Sequence, residues 1–230
     1  MALILQIETA TQTCSVALAK DGVVLDFIER TERNIHASVI TLFIDELMKK
    51  NNYQFSDLNA IAISMGPGSY TGLRIGVSTA KGLCYALDIP LIAINTLEAM
   101  SSGFLSNHFS VNPDTLFCPM IDARRMEVYC AIYNSKTAVV LETKAEIIDE
   151  NSFKEVLDSH VIYFFGDGAT KCESFLSTHL NARLIDDFEN SAKYLSAIAH
   201  QKYLQKDFVD VAYFEPFYLK DFIAGKKKSN

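Results

Sequence analysis

Leu3-Ile4-Leu5-Gln6-Ile7-Glu8-Thr9, Cys14-Ser15-Val16-Ala17-Leu18-Ala19 and Val23-Val24-Leu25-Asp26-Phe27-Ile28-Glu29 open the chain as three short apolar runs, with Asp21-Gly22 between the last two. An Asp-Gly pair between apolar runs predicts a type I′ hairpin turn, because both central residues of that turn need positive φ. The three runs are therefore expected to form a meander. Outward from it, Asn34 precedes a helical stretch, Ile35 to Lys50, closed by Asn51-Asn52. Leu58 to Ser64 reads as a buried strand, Thr71 to Leu87 as a second helix and Ile89 to Asn95 as another strand. The order βββαβα, followed by that strand, predicts an α/β layer with a mixed sheet.

A polar stretch, Ser101 to Pro113, reads as a linker. Beyond it, Leu116 to Ile121 is a strand, Asp122-Ala123-Arg124-Arg125 a tight turn and Met126 to Asn134 the partner strand. The design repeats the opening one, an apolar strand ending in an acid (Glu8, then Asp122) followed by a turn and a second strand, and suggests an internal duplication. Val161 to Phe165 before Gly166-Asp167-Gly168 is a further strand, and Ser191 to Gln205 a helix. Two related α/β lobes are expected, 1–100 and 101–230, with the last segment able to return to the first.

At 230 residues, with 49% apolar and 21% charged residues, the chain is an ordinary folded one. Its net charge of −7 argues against capturing a nucleic acid alone, since a basic face supplies most of that affinity. Five cysteines without a C-x-x-C pair speak against a disulfide framework or a zinc knuckle, and point to a reducing compartment. The first residues lack a basic n-region and meet Gln6 and Glu8 early, so neither a signal peptide nor a membrane span is expected and the cytoplasm is the default.

On a helical wheel, the apolar residues of the Ile35 helix cover an arc of about 240°, wider than one sheet face needs. Ile35, Val39 and Phe43 are expected to face the sheet, leaving Ile40, Ile44 and Met48 for a second chain or for the second lobe. The next helix carries Gly72, Gly76 and Ala80 at four-residue spacing, flanked by Leu73, Val77 and Cys84. Each glycine costs helix stability, about 1 kcal/mol relative to alanine, so close approach of another helix is expected there, from the Ile35 helix or from a partner.

Little in the sequence points to catalysis. Gly66-Pro67-Gly68-Ser69-Tyr70-Thr71-Gly72 lies between a strand and a helix, yet matches neither phosphate-loop pattern, and Lys81 comes too late to serve one. It reads equally as a turn needing positive φ. The five histidines include no pair at helical metal spacing, and no G-x-S-x-G elbow occurs. Glu8 and Asp122 are the one pair of acids placed as if for chemistry, able to hold a hydrated magnesium across a cleft or simply to cap tight turns. His36 reads as a polar group of a first helical turn. Lys226, Lys227 and Lys228 read as a solvated tail.

Ile4-Leu5-Gln6-Ile7-Glu8-Thr9 with Cys14-Ser15-Val16-Ala17-Leu18, and Gly66-Pro67-Gly68-Ser69-Tyr70-Thr71-Gly72-Leu73-Arg74-Ile75-Gly76 with Ala80-Lys81-Gly82-Leu83, resemble the TsaB (YeaZ) family of bacterial tRNA threonylcarbamoyladenosine biosynthesis proteins. Asp122-Ala123-Arg124, Glu127-Val128-Tyr129 and Pro216-Phe217-Tyr218-Leu219-Lys220 look like later motifs of that family, so the resemblance spans nearly the whole chain. It departs at Glu8-Thr9, where the family usually shows Asp-Thr.

The resemblance implies a duplicated actin-like fold of ribonuclease-H-type lobes and a role without catalytic residues of its own. It also implies support of the catalytic relative TsaD, which transfers the threonylcarbamoyl group to adenosine 37 of tRNA. TsaD resemblance would bring an H-x-x-x-H motif, and this sequence has none. On this basis His36, Ile40, Ile44, Met48, Gly72, Leu73, Gly76, Val77 and Ala80 are expected at the interface with TsaD, or with a second copy when TsaD is absent. TsaE is expected to bind the pair, tRNA to be reached through the complex, and Glu8, Thr9 and Asp122 to mark a vestigial nucleotide cleft needing neither cofactor nor metal. The rival expectations are an actin-like ATPase or kinase binding ATP or ADP around Glu8, Asp122 and Gly166-Asp167-Gly168, a peptidase, and a purely structural homodimer.

Overall fold

The computed structural model describes residues 1–107 and 112–220. Strands β1 (Leu3–Glu8), β2 (Thr13–Lys20) and β3 (Val23–Thr31) form the meander, with Asp21 and Gly22 both at positive φ in its turn. Helix α1 (His36–Lys50) leads through a 3-10 turn to β4 (Ala60–Gly66), then α2 (Tyr70–Leu87) to β5 (Leu91–Asn95). The first sheet has the order β3-β2-β1-β4-β5, with β4 and β5 parallel to β1.

The second lobe repeats this plan. Strands β6 (Leu116–Asp122), β7 (Glu127–Tyr133) and β8 (Val139–Ile147) form its meander, and β9 (Ile162–Phe165) and β10 (Ala182–Ile185) run parallel to β6. Its order, β10-β9-β6-β7-β8, is the order of the first sheet element for element, as the duplicated hairpin suggests. The helices differ: α4 (Lys154–Leu157), α5 (Asp167–Lys171) and α6 (Glu173–Leu176) are short.

Two expectations change, the linker and the boundary. Ser101 to Asn107 is not linker but the second half of α3 (Thr96–Asn107), so a boundary at residue 101 falls inside a helix; positions 108–111 of the expected linker lie outside the described residues. The segment is polar because it is short and amphipathic, with Met100 and Phe104 turned into the second lobe's core beside Phe117 and Phe165. The helix expected at Ser191 is a 3-10 turn (Ala192–Leu195) continuing into α7 (Ser196–Gln205), and it packs on the first lobe. There Leu195 and Ala199 cover Ala2, Ile4, Ala60 and Ile92, the sheet face opposite α1 and α2.

The wide apolar arc of α1 is covered by its own lobe. Ile40, Ile44 and Met48 join Phe43 and Leu47 in one core with β1, β4 and α2, and Ile44 is 2% exposed. Helix α1 packs on α2 as well as on the sheet, so its apolar arc meets more of its own lobe than a helix lying alone on a sheet would. Ile44→Asp therefore buries a charge in the core and is expected to cost about 4 kcal/mol or more, read as a collapsed denaturation midpoint rather than as a dissociated complex.

Candidate functional site

Two surfaces qualify. Helices α1 and α2 lie side by side on one face of the first sheet, so their outer faces form one continuous surface. On α1 it presents Ala37, Ser38, Thr41 and Leu42, and on α2 Thr71, Arg74, Ser78, Gly82 and Tyr85. Leu42 is 63% and Tyr85 87% exposed, and a Cβ built at Gly82 meets nothing within 4 Å. Small side chains flatten its middle, where Arg74 is the one charge among these nine residues, and Glu46, Lys49 and Lys50 are exposed at the end of α1.

The interface residues expected from sequence lie beneath this surface. His36, Ile40, Ile44, Met48, Gly72, Leu73, Gly76, Val77 and Ala80 are all buried within the chain. The glycine strip accommodates a turn rather than a helix: a Cβ at Gly72 would overlap the carbonyl oxygen of Thr9, and one at Gly76 the Thr9 hydroxyl. Gly66, at φ +111°, faces the Phe217 carbonyl, and Ser69 caps α2 by accepting from the Gly72 N–H at 3.2 Å. His36 packs beside the backbone of Thr11 and Thr13, its Nε2 has no hydrogen-bond partner, and burial lowers its pKa. The outer residues were missed because small and polar side chains carry no apolar signal, and Leu42, which the wheel places within the continuous apolar arc, is exposed instead.

The second surface is a cleft of about 350 Å³ between the lobes, lined in part by Thr11, Gln12, Thr13, Asp167, Glu189 and Asn190. Among the described residues no lysine or arginine lines it. Glu8 and Thr9 are fully buried and Asp122 lies outside the lining, so these three do not converge on the cleft. Glu8 Oε1 accepts the Ala10 N–H at 2.6 Å, while Oε2 has no partner. Burial pushes this carboxyl up to about 7, against the opposing pull of the Ala10 amide, Ser64 and Asn190. Asp122 pairs with Lys171 and accepts the Arg124 N–H at 2.8 Å, acting as a turn cap. The Asp122 N–H in turn donates to Asp167 at 3.0 Å, and burial raises the Asp167 carboxyl.

Duplicated meander-plus-parallel sheets with a cleft between them define an actin-like, two-lobed α/β protein. The solved structure of YeaZ from Pseudomonas aeruginosa superposes with a TM-score of 0.80 at 24% identity, over 95% of this chain and all of that one. An inorganic polyphosphate/ATP-glucomannokinase from Arthrobacter shares the fold more distantly, with a TM-score of 0.53 at 11% identity over 89% of this chain and all of the other. The family model described as "TsaD: tRNA N6-adenosine threonylcarbamoyltransferase" matches residues 29–227. The Escherichia coli tRNA threonylcarbamoyladenosine biosynthesis protein TsaB is 33% identical over 97% of each chain. The chain belongs to the TsaB family, within that wider TsaD-related group. No helix among the described residues is long and apolar enough to cross a membrane.

Proposed function

We propose that this chain is a non-catalytic scaffold subunit of the machinery that makes N6-threonylcarbamoyladenosine at position 37 of tRNA, and that it docks on TsaD through the outer face of α1 and α2. The observation carrying this reading is that face itself, flat along its middle, where Leu42 and Tyr85 stand exposed, and bordered by the charges of Glu46, Lys49 and Lys50 at the end of α1. Burying about 800 Å² per partner there would suffice for a stable complex. The same face serves a second copy when TsaD is absent. TsaE joins the TsaD-bound pair, and with a net charge of −7 the tRNA is held chiefly by TsaD in the cytoplasm.

The cleft supports the non-catalytic part of the reading. A polyphosphate needs free backbone N–H groups and cations. Here the Ala10 N–H is taken by Glu8, the Thr13 N–H by Thr11 Oγ1 at 3.3 Å, and Lys171 by Asp122 and the Glu127 carbonyl. These occupied groups speak against a phosphate cradle at Ala10 and Thr13, and the scaffold role requires no cofactor.

The docking test uses Gly82→Glu and Leu42→Asp, which alter the outer face without entering the core. Neither is expected to unfold the chain, Gly82→Glu gaining some helix propensity and Leu42→Asp losing a little, each within about 1 kcal/mol, and each should weaken binding to TsaD in sedimentation roughly tenfold or more. Threonylcarbamoyladenosine formation in the reconstituted reaction should fall in step. Normal binding and modification by both variants would overturn the assignment, and a calorimetric heat with ATP would favour the kinase reading instead.

A further inference from the structure

After α7 the chain runs back across the first lobe as an extended strap. The Val209 N–H donates to the Leu91 carbonyl at 3.0 Å, closing the open edge of β5, and Val209, Val211 and Phe214 pack against the first core. Lys81 of α2 then reaches over it, its Nζ donating to the carbonyls of Ala212 and Phe214 at 3.1 Å each. The Phe217 N–H donates to the Met65 carbonyl at 2.7 Å, beside Gly66, and the Tyr218 ring lies 4.8 Å from that of Tyr70. Two residues on, Lys220 pairs with Glu127 of β7, in the other lobe.

We propose that residues 209–220 are a conformational strap that fixes the angle between the two lobes, with Lys81 as its pin on the first lobe and the Lys220–Glu127 pair as its fastening to the second. Lys81 suits the role because both of its acceptors belong to the strap and, among the described residues, no carboxylate lies within ion-pair distance of it. One ammonium holding two main-chain carbonyls two residues apart fixes the direction of the strap as well as its position. Residues 214–220 have no helix or strand of their own, so their course depends on these few anchors. The inference does not depend on the docking proposal.

The experiment uses the full chain with cysteines introduced at the exposed positions Glu46 and Glu155, one on each lobe; the five native cysteines are buried, so spin labels attach selectively. Lys81→Met is expected to raise amide exchange at Val209 and Phe217 at least tenfold, and to broaden the Glu46→Cys to Glu155→Cys distance distribution. Lys220→Met should broaden the same distribution while leaving exchange at Val209 unchanged. If Lys81→Met also exposes the β1 amides, its effect is general unfolding and the Lys220→Met distribution alone decides. A distribution as narrow as wild type in Lys220→Met, or unchanged strap exchange in a folded Lys81→Met, overturns the proposal.

Discussion

Glu8→Gln is expected to stabilise the chain by about 3 kcal/mol above pH 7, raising the melting temperature by roughly 10 °C. The side chain is fully buried, and burial holds its carboxyl near 7 against an ordinary value of 4.5. In the folded chain it therefore keeps a proton that the unfolded chain has already released. Its contribution is complete below about pH 4.5 and is lost as the pH rises through 7, where the folded chain must ionise a carboxylate out of reach of water. Glutamine keeps an oxygen for the Ala10 N–H and cannot ionise, its amide taking the place of the second oxygen beside Ser64 and Asn190. Thermal melts of the two proteins between pH 4 and 8 should converge at the acid end, separate between about pH 4.5 and 7, and run parallel above it. Curves parallel over the whole range would mean that the wild-type carboxyl does not titrate within it.

Gly72→Ala is expected to cost about 3 kcal/mol, an overpacking penalty. The added methyl would overlap the Thr9 carbonyl oxygen, and a main-chain oxygen at the end of β1 cannot turn aside as a flexible side chain can. Ten residues later in the same helix, Gly82→Ala meets open space and should gain about 1 kcal/mol from helix propensity. Denaturant midpoints moving in opposite directions for the two variants would confirm that the glycine strip serves the β1–β2 turn. Equal gains would show that Thr9 has room to move.

The architecture is legible in the sequence where periodicity and turn chemistry agree. Asp21-Gly22, the Ile35 and Thr71 helices and the repeated strand-acid-turn design all survive in the structure, because each is fixed by local φ preferences or by a long apolar pattern. Strand β8 and helix α3 escape notice for opposite reasons. An edge strand such as Val139–Ile147 alternates only weakly, and Thr96–Asn107 hides a few core contacts among serines. The candidate surface is legible only to the level of its two helices. Apolar content marks what the chain buries for itself, as at Ile40 and Ile44, whereas a flat docking face is built from Ala37, Ser38 and Gly82, which carry no apolar pattern to find.

The return of residues 190–220 to the first lobe bears on how the protein is made. Ala2 and Ile4 are covered by Leu195 and Ala199, which leave the ribosome more than 190 residues after them. The second lobe has a complete sheet of its own by Ile185, so it can close while the first still lacks one layer. During synthesis the apolar face around Ile4, Ala60 and Ile92 therefore stands open until the C-terminal helix emerges, which makes the nascent first lobe the stage at which this chain is most exposed to aggregation.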